Sequence, residues 1–322
     1  MIIVYPLKRL IVTVLAVLLV TSCSTGMEKS HSPRRTVPVA KYDLEGDEFF
    51  GGFTAAKLRT VDPCPLLHGT NLLRYGVPIT EEFGGDLGSC SILMTDHGGE
   101  LLHVAVAMDY PAYLEAENRI SGLPALIWSD SDGCDAHVVY QGGGAEDTPR
   151  TVRVRVESQE RPETCSPAVQ ITTEVVEQLR ADPPIAARSP DELTGIDPCV
   201  LLDPLAGQDP QVGVTAKPEP RGIYGCGWEL PSGVRVDVSF DDGSKDPSGL
   251  PVDIGGKPAS VIPDSPDASC QIEWEHRQPP DESKFATEKV VVVATNHNPT
   301  QIDPCASAVG FAQQVKAKLP PT

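Results

Sequence analysis

The sequence has no apolar run long enough to cross a bilayer. Its best stretch, Leu10–Val20, holds eleven residues, against about 20 for a spanning helix. It is short of positive charge: 26 basic residues face 45 acidic ones, for a net charge of −19. Aromatic residues make up 5%. Without a basic footprint or stacking side chains, non-specific binding of DNA or RNA is excluded. No Cys-x-x-Cys pair is present, which argues against thioredoxin chemistry and clustered zinc ligands. GxSxG, SxxK, HExxH and Walker motifs are missing as well. What remains is a chain of 322 residues with 40% hydrophobic content, enough for about two domains. It carries 28 glycines, 31 prolines and nine cysteines, and the cysteines are the most informative residues.

The N-terminus reads as an address. Lys8 and Arg9 precede the apolar run, as in a secretory signal. Val20-Thr21-Ser22-Cys23 resembles the lipobox of bacterial lipoproteins, with Val standing where Leu is usual. This implies a signal peptide over 1–22 and a diacylglyceryl-modified Cys23 at the mature N-terminus, anchored in the cell membrane on its extracytoplasmic face. Losing Lys8 and Arg9 would take the charge to −21. Acyl chains contribute roughly 0.8 kcal/mol per buried CH₂. Residues 23–50 are polar and lack periodicity, so they read as a flexible tether.

The rest is one unit written twice. With Cys23 set aside, Cys64, Cys90, Cys134 and Cys165 are spaced 26, 44 and 31 apart, and Cys199, Cys226, Cys270 and Cys305 are spaced 27, 44 and 35 apart. Asp62-Pro63-Cys64-Pro65-Leu66-Leu67 aligns with Asp197-Pro198-Cys199-Val200-Leu201-Leu202, and Gly122-Leu123-Pro124-Ala125 with Gly256-Lys257-Pro258-Ala259. The expected layout is a first repeat domain over 51–182, a linker over 183–190 and a second repeat over 191–322. Eight cysteines in an exported chain read as a disulfide framework. The favoured pairs are Cys64–Cys90, Cys134–Cys165, Cys199–Cys226 and Cys270–Cys305. The alternative joins first to fourth and second to third, as Cys64–Cys165 and Cys90–Cys134.

Asp62 and Asp197 are good N-caps and the prolines after them suit a first helical turn, so each unit should open with a short helix. Five strands should follow: Cys90–Thr95, Leu101–Met108, Pro124–Trp128, Cys134–Tyr140 and Thr151–Glu157 in the first unit. In the second they are Tyr224–Leu230, Val234–Phe240, Ala259–Ile262, Cys270–Trp274 and Lys289–Thr295. Thr151-Val152-Arg153-Val154-Arg155-Val156 alternates as a half-buried strand does. Cys165, Ala168, Val169, Val175, Val176 and Leu179 form one helical stripe, and Cys305, Ala308, Val309, Ala312, Val315 and Leu319 another. The fold class is α+β: two tandem domains, each an antiparallel sheet of about five strands flanked by an opening and a closing helix.

The DPC-x-LL opening, Gly225-Cys226-Gly227-Trp228, the G-x-P-A segment and the closing Cys-x-x-Ala helix together resemble an actinobacterial exported lipoprotein domain of unknown function. More distantly, the layout is similar to the extracytoplasmic sensor domain of mycobacterial receptor kinases. The first unit departs with Ser91-Ile92 where the second has Gly227-Trp228. The resemblance implies fold and location and carries no catalytic residues.

Candidate chemistry is sparse. His31, His68, His97, His103, His137, His276 and His297 do not recur at matching positions, so no shared metal or catalytic site is expected, and no cofactor. Asp130, Asp132 and Asp135 around Gly133, and Asp241, Asp242 and Asp246 around Gly243, lack EF-hand spacing and fit turns. Gly142–Gly144 reads as a hairpin connection rather than a phosphate loop. The leading expectation is a non-enzymatic accessory or sensor-like interaction module with an envelope protein partner. A carrier of a small molecule or lipid, with a pocket in one unit or between the two, is the alternative. A hydrolase with an unmarked carboxylate pair ranks third.

Overall fold

A computed structural model describes residues 50–79, 87–113, 116–142, 148–158, 164–202, 218–230, 233–264, 269–278, 287–296 and 303–321. All of them belong to one compact unit, 41–322. The signal segment, Cys23, the tether up to residue 49, His31 and His297 lie outside the described residues.

Each half of the unit is a seven-stranded antiparallel sheet. The first is built from β1 (Gly76–Pro78), β2 (Ser89–Asp96), β3 (Leu101–Pro111), β4 (Asn118–Ile120), β5 (Leu123–Ser129), β6 (Gly133–Gln141) and β7 (Arg150–Glu157). They lie in the order β1-β2-β3-β7-β6-β5-β4. The second holds β8 (Glu219–Pro220), β9 (Gly225–Glu229), β10 (Val234–Asp242), β11 (Leu250–Asp253), β12 (Pro258–Asp264), β13 (Ser269–Arg277) and β14 (Glu288–Asn296). Counted from its own first strand, the second sheet repeats the order of the first, with third strand against seventh at the centre. The duplication in the cysteine spacing is therefore a duplication of topology.

The five long strands of each unit fall where alternation places them. The four further strands are two to four residues long and include the outermost strand at each edge of both sheets. Pro78, Pro220 and Pro251 sit in three of them, where a missing N–H faces no ladder partner. Cys90, Ile92 and Met94 of β2 and Leu102, Val104, Val106 and Met108 of β3 point to one buried face, and Val234, Val236, Val238 and Phe240 of β10 do the same. The closing helices cover these faces. α3 (Cys165–Arg180) packs on β6 and β7, and α4 (Pro304–Lys318) on β13 and β14. In α3 the buried stripe is Ala168, Ile171, Thr172, Val175, Val176 and Leu179. Thr172 tolerates burial because its hydroxyl donates to the Ala168 carbonyl at 2.7 Å. In α4 Phe311 joins Ala308, Ala312 and Val315.

The first repeat opens with α1 (Ala55–Arg59) and α2 (Pro63–His68), the latter capped by the Asp62 carboxylate, which accepts from the Cys64 amide at 3.2 Å. Asp197 caps Cys199 in the same way at 3.0 Å. There the short opening helix is a single 3₁₀ turn, Pro198–Val200. Asp303-Pro304-Cys305 uses the device a third time, at the head of α4, with a bond of 2.9 Å.

The structure closes four disulfides: Cys64–Cys90, Cys134–Cys165, Cys199–Cys226 and Cys270–Cys305. In each repeat one bridge ties the opening turn to the sheet and the other ties the sheet to the closing helix. The linker segment is fastened down as well. Ile185 forms a bridge with Val61, the Asp62 amide donates to the Pro184 carbonyl at 2.9 Å and the Ala186 amide to that of Thr60 at 2.9 Å. Among the described residues no helix is long and apolar enough to cross a membrane.

Candidate functional site

Two bulges shape the seam between the repeats. In β3, Ala107 pairs with Arg153 and Tyr110 with Thr151, so Met108 and Asp109 share one opposing residue. In β6, Val139 pairs with Thr151 and Gln141 with Arg150, which leaves Tyr140 as the extra residue. A bulge re-aims side chains, and here it brings Asp109 and Tyr140 together. The Tyr140 hydroxyl donates to Asp109 Oδ1 at 2.6 Å. Asp109 Oδ2 accepts from the amides of Ile223 and Tyr224, in the second repeat, at 2.9 and 3.2 Å. Gln141 grips the same segment from both sides, donating to the Pro220 carbonyl at 2.7 Å and accepting from the Gly222 amide at 3.0 Å. Burial pushes the Asp109 carboxyl above the usual carboxylate range, opposed by Arg150 and by these donors. Burial likewise pushes the Tyr224 phenol up to about 12. Arg59 closes the other end of the seam, 2.8 Å from Asp197 and donating to the Ile223 carbonyl at 2.9 Å. Gly222 has a φ of 92° and faces the Asp109 carboxylate, a backbone and a spacing that a side chain would not tolerate.

A cleft of about 520 Å³ lies along this seam. Asp109 and Arg150 contribute from the first repeat, and Arg221, Tyr224, Arg235 and Asp237 from the second. Asp237 sits between two guanidiniums, with Arg235 Nε at 3.0 Å and Arg221 Nε at 3.4 Å.

The face of the first sheet away from α3 is the second surface. Cross-strand register sets Ala105, Arg155, Asp135 and Trp128 in one row and Ala107, Arg153, His137 and Leu126 in the next. Trp128 is 49% exposed and Tyr110 37%. The Arg153 guanidinium lies over the Tyr110 ring at 4.3 Å and its Nε is 2.5 Å from Asp135 Oδ1. Arg155 reaches Asp135 Oδ2 at 2.6 Å, Asp130 Oδ2 at 3.0 Å and the carboxylate of Glu157. His103 meets Glu157 at 3.1 Å. The Thr151 hydroxyl donates to the Tyr110 carbonyl at 2.9 Å, so His137 Nδ1, 3.0 Å from Thr151 Oγ1, is the protonated nitrogen of a neutral ring. Burial holds that imidazole down to about 4. Tyr and Trp beside ordered guanidiniums have the composition of binding hot spots.

The residues singled out in the sequence scatter. His68, His97 and His103 are surface groups of the first repeat, and His137 and His276 occupy different ladder positions. Among the described residues no three metal-ligating side chains cluster. Asp130 caps a turn, accepting from the amides of Asp132 and Gly133 at 2.9 and 2.8 Å, and the Asp132 amide is the first cause of its lowered pKa. Asp246 accepts from Ser248 at 2.8 Å. Gly143 and Gly144 lie outside the described residues. The cystines brace the sheets and line no common site. Sequence reasoning missed Asp109 and Tyr140, because a bulge leaves no periodic signal. The Arg153 and Arg155 face was readable from the alternation in β7.

No family model and no curated protein matches the chain. Among solved structures, the immunity protein TplEi of the type VI secretion system of Pseudomonas aeruginosa, in complex with a peptide, shares 11% identity. The match covers 71% of this chain and 76% of that one, at a TM-score of 0.21, too low to establish a common fold.

Proposed function

We propose that this chain is an extracytoplasmic lipoprotein, anchored in the cell membrane through acylated Cys23, that acts as a non-enzymatic interaction module, accessory or sensor-like, for an envelope protein. The motifs quoted above support placing it with the actinobacterial exported lipoprotein domain. The observation that carries the interaction reading is the Tyr110–Trp128 face: aromatic side chains and two fixed guanidiniums on the face of the first sheet opposite α3. The buried charges nearby serve the scaffold. Asp109 caps backbone amides of the neighbouring repeat, and Asp135 holds two arginines. The test is photo-crosslinking in intact cells from a probe at position 107, next to the patch. One discrete adduct should form in the native background and vanish with Trp128→Ala or Arg155→Ala. An adduct indifferent to both substitutions overturns this face as the contact. Cys23→Ala should release the protein from the membrane fraction.

A second reading, a carrier of a small molecule or lipid, is favoured by the cleft of about 520 Å³ at the seam, where ligand sites often form. A ligand mass lost on collisional activation of the protein, extracted gently from its envelope, supports this reading. A bare chain argues against a tightly held ligand.

A further inference from the structure

The two sheets have four edges, at β1, β4, β8 and β11, and three of them are blocked by the same device. In an antiparallel ladder, alternate residues turn N–H and C=O to one neighbour, and the residues between turn theirs to the other side. Past the end of β1 the Ile79 amide donates to the Leu93 carbonyl at 2.9 Å, so Val77 faces β2 and Pro78 faces outward. Past β8 the Arg221 amide donates to the Gly225 carbonyl at 2.9 Å, which turns Pro220 outward. Past β11 the Ile254 amide donates to the Lys257 carbonyl at 3.0 Å, which turns Pro251 outward. Each of these edges has proline where an added strand would need a donor.

The fourth edge differs. β4 contains no proline and pairs with Leu123, Pro124 and Ala125 alone, so among the described residues no strand lies beyond Leu126–Ser129 of β5. After β5 the Asp130 amide donates to the Gly133 carbonyl at 3.0 Å. Leu126 and Trp128 therefore bond to β6, and Ile127 and Ser129 turn their N–H and C=O to the open side. Ile127 is 36% exposed on the face shared with Ala125, and Trp128 is 49% exposed on the opposite face. An apolar edge with free donors is what the other three avoid.

We propose that Ile127–Ser129 is a docking edge that takes an extended segment of the envelope partner as an added strand, antiparallel to β5 and in line with β4. The proposal rests on the interaction reading above and names its mode. The residue opposite Trp128 falls in a non-hydrogen-bonded pair, where side chains stand closest, and is aromatic or β-branched. Glu117 borders one end of the edge and Asp132 the other, both exposed and without an ion pair among the described residues. The nearby cations are engaged: Arg119 donates to the Gly122 carbonyl at 3.3 Å, and Arg155 is held by Asp130 and Asp135. The added segment therefore carries Lys or Arg at its flanks. A second copy of this chain fits poorly. Pairing β5 with β5 would press the Asp130–Gly133 turn of one copy against Glu117 of the other, between chains of net charge −19.

The test uses the full chain in intact cells, with a photo-crosslinking probe at position 118, in line with the added strand, beside the probe at position 107. Ser129→Pro installs the block that the other edges carry and spares the β5–β6 bonds. It should reduce the adducts from both positions roughly tenfold and leave the unfolding midpoint unchanged, while Ser129→Thr keeps them. In the isolated adduct of the native chain, deuterium exchange over 126–130 should slow at least about tenfold against the free chain. The crosslinked partner segment should alternate apolar residues and carry a basic flank. If Ser129→Pro lowers the midpoint, the exchange measurement decides alone. A position-107 adduct that is lost with Trp128→Ala, persists with Ser129→Pro and shows unslowed exchange overturns the docking edge and leaves the face reading standing. No adduct from either position overturns both. A crosslink to a second copy of this chain overturns the partner strand.

Discussion

Asp109 sits nearly buried at the seam, where its carboxyl accepts from three donors. Two are backbone amides of the other repeat, which have no other partner at hand. Asp109→Ala therefore strands the amides of Ile223 and Tyr224 and the Tyr140 hydroxyl together. We expect a loss of about 2–4 kcal/mol, read as a fall in the denaturant midpoint, with Asp109→Asn milder because one acceptor oxygen survives. An unchanged midpoint for the alanine variant would mean that the seam contributes little to folding. Nothing in Ala107-Met108-Asp109-Tyr110 announces this role. An aspartate near a strand end reads as a turn residue, and only the bulge turns it toward the second repeat. Arg153 and Arg155 were open to reading, because their strand alternates without interruption up to its end.

The elements are held by four bridges that close loops of similar length, 26 to 35 residues. Chain entropy depends on the logarithm of that length, so the four should be nearly interchangeable in worth. Replacing any one pair by serines should cost about 3–4 kcal/mol, measured by denaturant unfolding under non-reducing conditions. A pair whose loss costs far more would be bracing an element that cannot form alone. Long strands and closing helices were legible because each repeats a period several times. The edge strands were not, since two to four residues hold no period. The second opening helix is only a single 3₁₀ turn for a related reason: its Asp-Pro-Cys cap is present and used, but a cap satisfies one amide and does not propagate a helix. Cap and proline mark where a turn starts, and packing decides how far it runs.

The whole molecule should answer to pH through three buried groups that pull in opposite directions. His137 and His276 are held down to about 4, below the unfolded value of about 6.5. Between those values the unfolded chain binds protons that the native chain refuses, so stability falls as pH drops from about 6.5 to 4. Glu288 runs the other way. Burial raises it to about 7, so the native chain keeps a proton that the unfolded chain has lost, and stability falls as pH rises from about 4.5 to 7. Two histidines outweigh one glutamate over the shared range, and the glutamate alone acts above about 6.5. Thermal unfolding across pH should therefore peak near pH 6.5, and Glu288→Gln should remove the decline on the alkaline side. A curve still falling there in that variant would place its origin elsewhere. At this scale the cysteine spacing told of the duplication. The setting of Arg155 beside Asp135 and Trp128 was silent, because it is made by register between strands that lie apart in sequence.

The seam has one more consequence. Two copies of one topology are joined by unlike patches: the bulged end of the first repeat holds a loop of the second, and among the described residues the matching end of the second holds no loop of the first. The joint is head-to-tail, so the pair has a polarity that the repeat itself lacks. Order along the chain is then part of the structure. A permuted gene that places 191–322 ahead of 51–182 would lose the bonds that Pro184, Ile185 and Ala186 make to Thr60, Val61 and Asp62.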